Sequence, residues 1–155
     1  MGHELLYKVA YDEAVRALSE QRAELDSFRT RGGMLLSATA LTTSFLGAQA
    51  LQGGGSRIAW LGLVVFGAVA AASLSILWPY RWQLTMDPRE IVETYIESDR
   101  PVATEALYRE LTQHMHASYL QNREGINLLT ILFQLASGLL VLEIGLWIMA
   151  IAATP

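Results

Sequence analysis

Apolar positions are distributed along this chain in two different ways. Before Arg31 they recur at intervals: Tyr7, Tyr11, Ala14, Leu18, Leu25 and Phe28 are three, four or seven residues apart. Glu13, Arg16, Glu20, Glu24 and Asp26 occupy the other faces, so the spacing predicts an amphipathic helix with one apolar seam over residues 1–31. After Arg31 the pattern becomes continuous. Between Arg31 and Arg57 lie 25 residues without Asp, Glu, Lys or Arg, and between Arg57 and Arg81 another 23. From Gly125 to Pro155 there are 31 residues with one charge, Glu143. A helix needs about 20 predominantly apolar residues to cross roughly 30 Å of hydrocarbon. The runs therefore predict spans over 33–52, 58–79 and 127–152.

The intervening region, 80–126, returns to polar and charged residues. At "DPRE", Asp87 suits a helix cap and Pro88 the first helical position, and Glu90 closes a capping box. That helix is expected to end near Ser98 to Pro101. A further helix is expected from about Val102 toward Asn122, with Leu107, Leu111, Met115 and Tyr119 on one stripe, continuing toward the last span. With no candidate strand, the expected fold is all-α. It is an integral membrane helical bundle of three transmembrane helices with cytoplasmic helical extensions.

Composition agrees with this class: 52% of the residues are hydrophobic and 17% charged, below the roughly 25% charge usual in soluble domains. An export signal does not fit, because the first apolar run begins only after some thirty charge-rich residues. Lys8, Arg16, Arg22, Arg29 and Arg31 precede the first span, and Arg81, Arg89, Arg100, Arg109 and Arg123 lie between the second and third. The positive-inside bias then places the N-terminus and residues 80–126 in the cytoplasm, and the Gly53 to Arg57 turn and the C-terminus outside. Trp78, Tyr80 and Trp82 would mark the inner boundary, and Trp60 and Trp147 the outer one.

Catalytic signals are absent from the sequence. There is no cysteine, no nucleophile constellation and no metal-type spacing. His114 and His116 are two residues apart, on different faces of a helix, which suits surface histidines rather than ligands of one metal. The glycines of "GGGS", Gly53 to Ser56, lack the Lys of a phosphate loop and read as a membrane turn. A net charge of -4 without a basic run excludes a dedicated nucleic-acid surface. No enzyme activity and no cofactor are expected.

Polar residues inside the spans are the candidate site. Glu143 falls past the midpoint of the third span, where a carboxylate needs water, a partner or a proton. If the span slides inward, Glu143 becomes a boundary residue at the outer headgroups. Ser44, Gln49 and Gln134 could join it in a polar track or hydrogen-bond between helices. Small residues at four-residue steps, Ala40, Ser44 and Ala48 in the first span and Gly67, Ala71 and Ser75 in the second, suit close helix packing within the hairpin or between copies. Gly32 and Gly33 stand where the amphipathic helix meets the first span and are the candidate hinge.

The stretch "EQRAELDSFRTRGGMLL" (Glu20 to Leu36), followed by a Ser/Thr-tinged span ending in "SFLG" (Ser44 to Gly47), a short turn and a second span, resembles the small bacterial SLATT membrane proteins. The third span, led by "NREGINLL" (Asn122 to Leu129), is similar to the Pycsar transmembrane effector family. The resemblance implies an oligomeric effector of the bacterial inner membrane in nucleotide-signalling antiphage defence. A nucleotide second messenger or a sensor protein would trigger it, and membrane disruption or pore formation would follow. No ligand residues carry over, because the chain shows no cyclic-nucleotide pocket. The alternative is a non-toxic membrane scaffold or accessory subunit that recruits a partner through its cytoplasmic helices.

Overall fold

The computed structural model describes residues 2–52, 56–79, 82, 93 and 103–153. Apart from Glu93, the expected Asp87 to Pro101 helix lies outside them, as do the Gly53 to Gly55 part of the turn and Tyr80. The described chain is helical. Helix α1 spans Gly2–Thr42 and passes into a π-helical turn, Thr43–Gly47, and a short helix α2, Ala48–Gln52. Helix α3 covers Arg57–Leu77 and helix α4 covers Thr104–Ala152. Three of the helical segments, Leu5–Gln52, Arg57–Leu77 and Thr104–Ala152, are long and apolar enough to cross a membrane. The first and third are longer than the spans expected from the charge-free runs. The amphipathic helix and first span are one continuous segment, and so are the third helix and last span.

Contacts divide the chain into two compact units: residues 1–25 with 80–126, and residues 26–79 with 127–155. In the first unit Leu18 and Leu25 of the α1 seam and Leu111 of α4 are all buried. Tyr11 meets Tyr108 with ring centroids 5.5 Å apart. Gln21, buried, donates from Nε2 to the Tyr119 carbonyl at 3.0 Å, and its Oε1 accepts from Asn122 Nδ2 at 3.5 Å. The pairs 11/108 and 21/119 show that α1 and α4 run parallel in this unit. Trp82 lies on α4 where Gly125 leaves room: a Cβ there would come within 2.6 Å of its ring. Arg16, Glu13 and Glu20 form exposed ion pairs on α1, a kind that contributes little to stability.

The second unit packs α1, α3 and α4 around small residues. Ala59, Gly62, Val65, Val69, Ser73 and Ile76 form the inward line of α3, three or four residues apart. Ser56 caps this helix, its side chain accepting from the Ala59 amide at 3.2 Å. Val65 and Val69 pack on Leu146 of α4, and Phe28 meets Phe133 edge-on, with centroids 6.2 Å apart. The outer surface of this unit is apolar: Phe45, Val64 and Val141 are each about two-thirds or more exposed.

Three expectations shift here. Helix α1 passes through Gly32 and Gly33 without interruption, and the departure from α geometry comes instead at Thr43–Gly47. Gly32 is buried, and a Cβ would lie 3.0 Å from the Ile76 side chain, so close approach of α3 explains its lack of a side chain. A Cβ on Gly33 would meet nothing within 4 Å. The small ridges do not pack inside the hairpin: Ala40, Ser44, Ala48, Gly67 and Ala71 are exposed and Ser75 half-buried. The inward line of α3 is out of phase with them. Trp147 is not a boundary aromatic but the largest fully buried side chain, while Trp60 and Trp78 are exposed.

Candidate functional site

Glu143 lies at the centre of the second unit, completely buried. Its position on α4 follows from a seven-residue rhythm: Leu129, Ala136, Glu143 and Ala150 are all buried, so the carboxylate occupies a core position of an otherwise apolar or small stripe. On α1, Leu18, Leu25, Gly32 and Thr39 keep the same rhythm, which puts a hydroxyl opposite the carboxylate. Thr39, also fully buried, donates its hydroxyl to Glu143 Oε2. Thr43 donates to Oε1 at 2.6 Å. Trp147, one turn further along α4, donates its indole N–H to Oε1 at 3.3 Å. Three donors thus converge on one carboxyl group, and among the described residues no cation pairs with it. Hydrogen bonds of this kind compensate for removing a polar group from water.

The π-turn explains how the site closes on its outer side. In an uninterrupted α-helix Gly47, eight residues after Thr39, would lie about 80° away from it around the axis. The wider winding of the π-turn returns Gly47 to the inner face, where it is buried. A Cβ on Gly47 would be 3.3 Å from the Trp147 ring, and one on Gly62 of α3 would be 3.2 Å from it. The indole is therefore held in a slot between two glycines from different helices. Ala50, Ala59 and Ala150 complete the slot.

The other sequence-stated candidates are not part of this cluster. Ser44, Gln49 and Gln134 are exposed on the surface of the chain, so no polar track joins them to Glu143. Part of the hydroxyl content is satisfied locally: Ser37, Ser75 and Ser137 donate to the carbonyl four residues earlier at 3.0, 2.8 and 2.8 Å. Ser73 is buried, and its hydroxyl has no partner among the described residues. His114 and His116 are exposed, and among the described residues no three His, Asp or Glu side chains converge as a metal site.

No protein-family model, no curated protein and no solved structure matches this chain. The site is interpreted from its own chemistry. The carboxyl group is bound by two hydroxyls and an indole, inside a helix long and apolar enough to span a bilayer. Its bonds join α1 to α4 and orient Trp147 against α3. Breaking them would leave apolar packing, of Val65 and Val69 on Leu146 and of Trp147 on Ala59, as the links at this level.

Proposed function

We propose that the protein is an oligomeric effector of the bacterial inner membrane. Three helices cross the bilayer, and the Glu143 cluster acts as a latch that holds the resting arrangement until a trigger reaches the cytoplasmic unit. The N-terminus and residues 80–126 face the cytoplasm, and the C-terminus lies outside. Release of the latch permeabilises the membrane and arrests the cell. A nucleotide second messenger or a sensor protein supplies the trigger, in line with the SLATT-like and Pycsar-like character of the sequence.

One observation carries the reading: a fully buried carboxyl group inside a span, bonded by Thr39, Thr43 and Trp147 rather than by a cation. Such a group is costly in hydrocarbon unless it is bonded, and its partners here are three neutral donors. Three neutral donors make it separable, because parting them strands no cation in hydrocarbon. Induced expression with a membrane-potential dye tests the function. Collapse of the potential with growth arrest is expected. A polarised, growing culture, also in the presence of a cognate trigger, overturns it.

The scaffold reading has its own support, since Leu5, Leu6 and Val9 are all more than half exposed on the N-terminal turns of α1. These residues offer a partner helix an apolar edge. Co-purification of a stoichiometric partner without any change in membrane potential would favour that reading.

A further inference from the structure

Helix α4 carries a second stripe, on the side away from its core. Ala136 of the buried stripe follows Gln134 by two residues, about 200° around the helix. On Gln134's side, Ile131, Gln134, Gly138, Val141, Gly145 and Ile148 recur at alternating steps of three and four residues. Ile131, Val141 and Ile148 are 53%, 71% and 56% exposed. Gln134 is exposed as well and Gly145 half-buried, and a Cβ added to Gly138 or Gly145 would meet nothing within 4 Å. The stripe therefore has the seven-residue spacing of a helix-pairing seam, and among the described residues nothing lies within 4 Å of a Cβ at either glycine.

Gln134 says what covers it. Its amide carries two donors and an acceptor, and it stands among exposed apolar side chains seven residues into the last span. In hydrocarbon these groups need a partner, and water is not present to supply one. We infer that α4 pairs with α4 of a second copy of this chain along the Gln134, Val141 and Ile148 line. Every copy inserts in the same orientation, so the same residue lies at the same depth in each. A glutamine is complementary to itself: each amide N–H donates to the other's carbonyl oxygen. A polar side chain at one core position of such a seam also fixes its register. Gly138 and Gly145 let the two backbones approach closely at that register. The inference rests on α4 spanning the membrane and is independent of whether the assembly permeabilises it.

The natural chain has no cysteine, so single cysteines report without background. Val141→Cys and Ile148→Cys on the seam, and Phe45→Cys and Val64→Cys on the exposed surfaces of the π-turn and α3, are to be oxidised in native membranes and resolved without reductant. Disulfide-linked dimers are expected at the two seam positions at yields several-fold above the other two. Adding Gln134→Leu to Val141→Cys should lower that yield several-fold. Equal yields at all four positions, cross-linking confined to Phe45 or Val64, or an unchanged yield with Gln134→Leu would each overturn the proposal. Membrane pellets washed at alkaline pH separate the two failures. Protein lost from the washed pellet removes the membrane reading and this pairing together, whereas retained protein without seam cross-links removes the pairing alone.

Discussion

The indole N–H of Trp147 donates to Oε1 of Glu143, one turn earlier on the same helix, at 3.3 Å. The bond ties the largest buried side chain to the buried carboxyl group, so packing and polar bonding in the second unit depend on each other. Replacing Glu143 by Leu removes the acceptor. Thr39 and Thr43 can turn to helix carbonyls, but the Trp147 N–H is left buried without a partner, at a cost of about 1–3 kcal/mol. Glu143→Gln keeps an acceptor and should cost less. Thermal unfolding of the purified variants in one detergent checks this order: wild type highest, Gln intermediate, Leu lowest.

The slot around the indole is tight on two sides. Gly62→Ala would put a methyl group 3.2 Å from the ring, while Gly47 prevents the ring from retreating. Overpacking of this kind costs about 1–3 kcal/mol. A lower unfolding temperature and a changed Trp environment in near-ultraviolet circular dichroism are expected. Gly67→Ala, whose new methyl group would meet nothing within 4 Å, is the matched control: it gains helix propensity without overpacking, so its unfolding temperature should not fall and its Trp signal should not change.

In the first unit, Gln21 and Asn122 are both buried and share a hydrogen bond. Gln21→Leu leaves the Asn122 side chain without this bond, and Asn122→Leu leaves the Gln21 carbonyl oxygen without it. Each single change should cost on the order of 1–2 kcal/mol, and the double change less than their sum. A double-mutant cycle of unfolding free energies measures the coupling. Strict additivity would show that the two side chains act separately.

Gly125 gives the same unit a local test. Its replacement by Ala would bring a methyl group within 2.6 Å of the Trp82 ring, which must then move. Displacement of the ring is expected rather than loss of the fold. Hydrogen exchange should show increased opening near residues 82 and 125, with the Leu111 and Leu18 region unaffected.

Much of the architecture could be read from the chain because charge and hydropathy act over whole segments. Three charge-free runs marked the three long apolar helices, and the spacing of Leu18, Leu25 and Phe28 marked a buried face. Glu143 stood out as the one charge of its run. Its partners did not, because pairing Thr39 and Thr43 with a residue about a hundred positions away depends on the alignment of two parallel helices. Ser44 was the hydroxyl singled out, yet it faces outward. Trp147 was read as a boundary aromatic because its position near a span's end fits a belt, whereas two distant glycines make its slot. Gln21 could have been recognised, since it falls between Leu18 and Leu25 at the seam's own spacing. Counting apolar residues alone passed over it.

The latch itself is tested most directly by comparing wild type with Glu143→Leu, expressed to matched membrane levels in cells loaded with a membrane-potential dye. If the Glu143 bonds hold the resting state, the variant loses its membrane potential sooner after induction and without a trigger. Identical traces for the two proteins, or a variant that stays polarised while wild type collapses, would contradict it.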